Sequence, residues 1–209
     1  MLQTVRAFNH LINTGKALYW GTSEWTAQEL ASAQGIADRL GLIGPTMEQP
    51  HYNLLVREKV ESEFQLLYDS ANGGIGLGLT IFSPLKLGIL TGKYNDGIPA
   101  DSRLATSATD TFIKTMNESY GNEDWMKQLD IVRRLKPVAE RLGCSQAQMA
   151  MAWVLANPRV SSAIMGASRV EQVYEAVRSL EVLPRMTEAV MREIDEIAGN
   201  KPEEMVMRY

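Results

Sequence analysis

The stretch that decides the fold is Ser162-Ala163-Ile164-Met165-Gly166-Ala167-Ser168-Arg169. Its first four residues suit a short strand that stops at a glycine. Ser168, with Glu171 three residues later, forms the capping-box pattern that starts a helix. A strand that leads directly into a helix is the repeating unit of folds in which the two alternate. The stretch therefore predicts an α/β protein with a parallel sheet.

The same order of strand, loop and helix occurs three more times towards the N terminus. The apolar runs predict strands at 17–20, 46–48, 76–82 and 162–165. Periodicity and capping patterns predict helices over about 2–12, 26–40, 58–68, 125–142 and 187–198 and from Ser145 and Ser168, with a kink or break at Pro137. The polar segment 95–122 shows no period, which is typical of a functional lid or a disordered loop. Four strand–helix units are half of a (β/α)8 barrel.

The composition is that of one soluble domain. A chain of 209 residues, 45% hydrophobic and 22% charged, fits one domain of ordinary composition. The net charge of −4 gives no electrostatic case for nucleic acid or an anionic membrane surface. The single cysteine, Cys144, fits a reducing compartment, and no run is apolar and long enough for a membrane span or signal peptide. We expect a cytoplasmic protein without direct membrane insertion.

The start of the helix after residues 162–165 has the features of an anion site. Gly166 lets the backbone turn closely, Ser168 begins the helix, and Arg169 supplies a guanidinium. Exposed N–H groups, the helix dipole and that guanidinium together attract phosphate. A well-capped helix with a solvent-exposed arginine explains the same residues. Spacing alone leaves both interpretations open, although phosphate often binds after the last two strands of barrels.

Other candidate ligands lie beyond the predicted third strand. Lys93 and Arg103 flank the long polar segment and could clamp a diphosphate, but surface loops commonly carry such charges. Phe82 could stack on a flat ring, and core packing explains it equally well. His10 and His51 have no partner at metal-ligand spacing, so we expect no metal site. No catalytic triad or carboxylate pair stands out, and spacing alone indicates a phosphate-binding α/β half.

Short stretches along the chain carry a resemblance to a known family. They are 19–25, 48–53, 82–85, 90–94, 97–99, 102–103, 139–143, 166–168, 183–184 and 201–202. In this order and spacing they resemble the aldo-keto reductases, most closely the voltage-gated potassium channel β-subunit group with its plant and fungal members. The resemblance runs from about Thr4 to the C terminus. It implies that residues 1–209 form one partial domain, the second half (strands 5–8) of a (β/α)8 TIM barrel that binds NADP(H).

The resemblance also implies a role for each matching position in the cofactor site. Ser23 and Gln49 would hydrogen-bond the nicotinamide carboxamide, with Phe82 beside the ring. Contacts to the rest of the dinucleotide would come from Ser83, Pro84 and Leu85 at the pyrophosphate, Lys93 and Arg103 over the dinucleotide, and Gly166, Ser168, Gln172 and Glu175 at the adenosine end with its 2′-phosphate. The adenosine end agrees with the anion site predicted above, which adds Arg169. The chain departs from the channel-subunit pattern at Asp101, at Lys86-Leu87 and at Ala176.

The family's catalytic tyrosine, aspartate and lysine lie on its first three strands, which the matching stretches do not include. We therefore assign no catalytic residue and expect the 209 residues alone to lack carbonyl reductase activity. Two function classes stay open. One is an NADP(H)-dependent reductase of aldehydes or ketones, and the other is a non-catalytic subunit that senses NADP(H) or associates with a channel α subunit or an intact homologue. The open edges of a half barrel also predict a homo-oligomer.

Overall fold

The computed structural model describes residues 1–106 and 111–203, and its centre is a four-stranded parallel sheet. The strands are β1 (Gly21–Ser23), β2 (Met47–Gln49), β3 (Gly78–Phe82) and β4 (Val160–Ile164). Each strand pairs with the next one along the chain. The predicted α/β fold with a parallel sheet is confirmed, and four sequential parallel units are the arrangement of half a (β/α)8 barrel.

Helices precede the sheet and connect its strands. The α-helices are α1 (Leu2–Asn13), α2 (Ala27–Leu40), α3 (Gln65–Tyr68), α4 (Arg103–Thr106), α5 (Thr111–Glu118), α6 (Glu123–Arg141), α7 (Gln146–Leu155), α8 (Val170–Val182) and α9 (Glu188–Ala198). A π-helical segment spans Lys59–Glu63, and 3₁₀ segments span Ser70–Asn72, Lys86–Thr91 and Leu183–Arg185. Prediction and structure agree on the principal helices of each unit.

Local capping chemistry fixes where two of these helices begin. Thr26 and Glu29 form the predicted reciprocal capping box of α2, and Ser145 and Gln148 form that of α7. Gly41 ends α2 in the left-handed conformation that glycine adopts at low cost. Each of these three features depends only on residues that are close together in sequence, which is why the sequence predicts them.

The predicted capping box of α8 is wrong. The helix begins after Arg169, one residue later than Ser168. Arginine has no acceptor atom, so the capping acceptor is Oε1 of Gln172, which receives the N–H groups of Ser168 (2.8 Å) and Arg169 (3.4 Å). Glu171 lies on the first turn of the helix without this role.

Several other boundaries also differ from prediction. The first strand is Gly21–Ser23 rather than 17–20, and the side chains of Leu18 and Tyr19 are 81% and 70% exposed. The helix predicted over 58–68 is divided at Phe64 between a π-helical and an α-helical part. Helix α6 continues through Pro137, so the break that we predicted there as the alternative to a kink does not occur. The polar segment contains α4 and α5, while its residues 107–110 lie outside the described part of the chain.

The sheet has one buried face and one open face. Residues alternate along β3, so that Leu79 and Ile81 are fully buried in the main hydrophobic core. The opposite face, which includes Thr80, stays partly exposed, and Ile164 of β4 is 44% exposed. A second, smaller cluster around Val5, Trp20, Ala33 and Ala37 joins α1 to α2. The core therefore supports the sheet from one side only.

Candidate functional site

The predicted site residues gather at one edge of the sheet. Ser23, Gln49 and Phe82 are the last residues of β1, β2 and β3, and Gly166 follows the end of β4. Carboxyl ends of parallel strands meet at a common edge, where ligands bind in open α/β sheets. The structure therefore brings these four positions to the edge at which a ligand is expected.

Ser23 and Gln49 are direct neighbours across the first strand pair. They are register partners, and the Ser23 hydroxyl donates to the Gln49 backbone carbonyl at 3.0 Å. Ser23 is exposed and Gln49 half-buried. The Gln49 side-chain amide has no hydrogen-bond partner within residues 1–106 and 111–203. A free amide beside a hydroxyl can both donate to and accept from a carboxamide.

Phe82 is stacked on a histidine that also lies at this edge. The rings of Phe82 and His51 are 5.0 Å apart with an interplanar angle of 20°. The backbone N–H of His51 donates to Glu24 Oε1 at 2.6 Å, and the other carboxylate oxygen of Glu24 pairs with Lys59 at 3.3 Å. One face of Phe82 is thus occupied by His51.

The loop after β3 is strained. Ser83, Lys86 and Leu87 have φ angles of 55°, 45° and 55°, in the left-handed region that non-glycine residues rarely adopt. Pro84 is buried, and Leu85 packs against the main core. Such conformations cost about 1–3 kcal/mol each and are concentrated at ligand clamps and active sites. The strain marks this loop as a candidate ligand-binding segment.

Lys93 lies across the same loop. Its Nζ is 2.7 Å from the point where a side chain on Gly88 would begin, and it stands 4.9 Å from the centre of the Tyr94 ring. Gly88 therefore makes room for the lysine. Arg103, the other predicted cation, is exposed at the first residue of α4. The structure brings Lys93, but not Arg103, against the strained loop.

The start of α8 carries the remaining predicted residues, and their polar groups are bound to groups of the chain itself. Arg169 forms an ion pair with Asp101. Gln172 accepts the N–H of Ser168, as described above, and the Glu175 carboxylate accepts the Ser145 hydroxyl at 2.6 Å. A carboxylate therefore holds the guanidinium that the sequence assigns to phosphate. An incoming anion would have to replace Asp101.

Burial shifts the pKa values of three groups near this edge. Burial raises the pKa of Glu48, although the Thr22 hydroxyl and the Trp25 backbone N–H donate to its carboxylate. Burial, assisted by the charge of Lys86, lowers the pKa of His51. Burial also lowers the pKa of the Lys86 amine. Burial at this edge thus favours the neutral form of all three groups, whatever the sign of their charge.

Sequence reasoning did not identify Glu24, His51 or Asn53 as site residues. Asn53 donates to the Ser83 carbonyl at 3.0 Å and so holds the strained loop. Each of the three lies one to four residues beyond a strand end, which is the signal that could have found them. No group of three or more histidine, cysteine, aspartate or glutamate side chains is arranged to hold a metal within the described residues.

Residues 1–199 match the sequence profile of the Aldo/keto reductase family. Over 205 residues the chain is 46% identical to the "Probable voltage-gated potassium channel subunit beta" of Arabidopsis thaliana, and over 201 residues it is 47% identical to the protein of that name in Oryza sativa subsp. japonica. Both alignments cover 96% of this chain and 58% of the relative.

A fungal relative gives a similar match. The "Putative voltage-gated potassium channel subunit beta" of Schizosaccharomyces pombe is 44% identical over 211 residues, which cover all of this chain and 58% of that protein. The chain thus spans 58% of the length of the curated relatives it matches. In the described part of the chain, none of the helices has both the length and the apolar character needed to cross a bilayer.

Proposed function

The chain belongs to the aldo/keto reductase family, and on that premise we propose that it carries an NADP(H) site of a potassium-channel-β-subunit-like oxidoreductase. Its substrates would be aldehydes or ketones. The observation that carries the proposal is the common sheet edge at which Ser23, Gln49, Phe82 and the start of α8 meet. We place the protein in the cytoplasm, where NADPH is available to it.

The nicotinamide end of the proposed site lies at β1 and β2. The free amide of Gln49 and the hydroxyl of Ser23 would hold the carboxamide, which fixes the rotation of the nicotinamide ring. Phe82 would present its ring edge or its remaining face to the nicotinamide, because His51 covers one face. NADPH supplies the hydride when it is bound, and these residues orient its ring and exclude water from it.

The diphosphate would lie along Ser83, Pro84 and Leu85, where Lys93 crosses the loop. The adenosine 2′-phosphate would bind at Gly166, Ser168 and the Arg169 guanidinium. Gly166 has open space where a side chain would begin, so a phosphate can approach the backbone there. The loop after β3 suits a diphosphate and the start of α8 suits a 2′-phosphate, and NADP(H) carries both groups. Gln172 and Glu175 complete the adenosine end, and Arg103 is proposed to approach over the dinucleotide.

Binding at the adenosine end requires an exchange of partners. Asp101 must leave Arg169 before the 2′-phosphate can bind, and both side chains are well exposed, so the exchange costs little. A phosphate brings more charge than a carboxylate and can accept two hydrogen bonds from one guanidinium. The Arg169 side chain would therefore select NADP over NAD.

Calorimetry with NADP, NAD and 2′-phospho-AMP tests the proposal. We expect NADP to bind about 10–100-fold more tightly than NAD, the range that one charge-assisted hydrogen bond gives. Arg169→Ala should remove the preference. Asp101→Asn is the matched variant, since it keeps the side-chain shape and removes the competing charge, and it should tighten NADP binding. Equal affinities for NADP and NAD in the native chain would contradict the proposal.

A second candidate is a non-catalytic subunit that senses the cofactor. The channel-subunit names of the relatives favour it, with a channel α subunit, an intact homologue or a second copy as partner. NADPH consumption with 4-nitrobenzaldehyde tests the second candidate. We expect no turnover by the 209 residues alone, since general acid catalysis is worth about 10²–10⁴-fold and the family's proton donor is not in the matched half. Turnover at an ordinary enzymatic rate would exclude the second candidate.

A further inference from the structure

Lys86 is a half-buried cation without a partner among the described residues. Its amine makes neither a hydrogen bond nor an ion pair within residues 1–106 and 111–203. Burial of an unpaired amine costs free energy, and here it also lowers the pKa of that amine. The residue moreover adopts a φ of 45°. The fold tolerates both strain and an uncompensated charge at this position.

The hydrogen bonds of Asn53 fix the protonation of His51. The Asn53 carbonyl oxygen accepts the Leu55 N–H at 3.0 Å, and its amide nitrogen donates to the Ser83 carbonyl at 3.0 Å. The same amide nitrogen lies 3.0 Å from His51 Nε2. An amide nitrogen can only donate, so His51 Nε2 must be the acceptor. His51 is therefore neutral, and its proton is on Nδ1.

The Nδ1–H of His51 is thus a donor that has no acceptor among the described residues. The His51 ring is linked to the Lys86 backbone through two groups: the Asn53 amide nitrogen, which contacts Nε2, and the Ser83 carbonyl, which accepts from that amide and from the Lys86 backbone N–H at 3.0 Å. The positive charge of Lys86 is the second cause, after burial, of the lowered pKa of His51. Glu24, the carboxylate that raises the pKa of that ring, is already bound to the His51 backbone and to Lys59.

We propose that the Nδ1–H of His51 and the ammonium group of Lys86 form an oxyanion-binding site at the ends of β2 and β3. Two donors and no free acceptor select an anion, and the ligand chemistry is a phosphate or carboxylate oxygen. This inference rests on the proposed function. The oxyanion comes either from the cofactor diphosphate or from a carboxylate on an acidic carbonyl substrate.

Trace acetylation of lysines, read by mass spectrometry, tests the site in whatever assembly the chain adopts. Acetic anhydride reacts with neutral amines, so an anion held by Lys86 slows its labelling. The additions are inorganic pyrophosphate, NADP and pyruvate, each over a range of concentrations. We expect at least one of them to slow Lys86 acetylation about tenfold at saturation. The exposed Lys16 is the internal control and should not change.

The pattern of protection identifies the source of the oxyanion. Protection by pyrophosphate and NADP assigns the cofactor diphosphate, and protection by pyruvate alone assigns an acidic substrate. His51→Phe keeps a flat ring on Phe82 and removes Nδ1–H, so it should weaken protection of Lys86 while Lys16 is unaffected. Equal acetylation of Lys86 with and without every anion would overturn the site.

The same experiment separates this inference from the function on which it rests. NADP that binds by calorimetry, with preference over NAD, while none of the three additions changes Lys86 acetylation would refute the oxyanion site alone. Protection by pyruvate or pyrophosphate without any NADP binding would refute the proposed cofactor and leave the site intact.

Discussion

The stability of the whole fold depends on pH in part through one residue, His51. Its folded-state pKa is lowered from 6.5 by burial and by Lys86. Between that lowered pKa and 6.5 the unfolded chain binds a proton that the folded chain does not. The free energy of unfolding therefore falls as pH decreases through this window. The contribution of His51 to that free energy is fully present above pH 6.5.

We expect His51→Phe to reduce this loss of stability. Urea unfolding at pH 7.5 and 5.5 should show a larger decrease for the native chain than for the variant. Glu48 contributes with the opposite sign, because its raised pKa means that the folded state binds the extra proton. That contribution is the same in both proteins and cancels from the comparison. Equal pH dependence in the two would mean that His51 is not held neutral.

The contacts of a residue could be predicted where they depend on its neighbours in sequence. They could not be predicted where they depend on residues that are distant in sequence and close in space. The anion-site pattern indicated Arg169, and the resemblance assigned Lys93. It could not show that Asp101, 68 residues away in sequence, pairs with Arg169, or that Asn53 fixes the tautomer of His51. Such pairs are set by how loops fold over the sheet edge.

At the scale of the element, capping decides where helices start. Thr26→Ala removes an acceptor for the Glu29 N–H and should lower the free energy of unfolding by about 1 kcal/mol. Thr26→Ser keeps the hydroxyl and is the matched control. The two variants are compared by their urea midpoints. A Thr26→Ala midpoint equal to that of the Ser variant would show that the cap contributes nothing.

Elements were predictable in proportion to the local signal they carry. The capping boxes of α2 and α7 were found because two residues, three positions apart, define each of them. The predicted position of strand β1 was wrong because the prediction followed the apolar run 17–20. The strand itself comes directly after that run, where three residues pair with β2. Helix α5 was missed because its neighbours in the polar segment hide a short amphipathic pattern.

For the whole molecule, the open face of the sheet and the outer edges of β1 and β4 are the surfaces that most promote association with other chains. Neither outer edge pairs with another strand among the described residues. Exposed edges and apolar surface, of which Ile164 is one part, promote association with other chains. We expect the 209-residue chain to self-associate at micromolar concentration.

Sedimentation velocity over a range of concentrations measures this association. Ile164→Lys places a charge on the open face next to the β4 edge and should shift the distribution towards smaller species, whereas Ile43→Lys, on an exposed loop, should not. A monomer at all concentrations, with a cooperative thermal melt, would show that the open face needs no partner.

The separate cluster that joins α1 to α2 has a consequence for local opening. Trp20 stacks on Phe8 at 4.6 Å and donates to the Ile43 carbonyl at 2.8 Å, but Val5 and Phe8 belong to this small cluster and not to the main core. Helix α1 can therefore detach without disturbing β3 or α7. Its amide protons should exchange with deuterium through a low-energy opening that urea barely affects, while those of β3 exchange only when the entire domain unfolds.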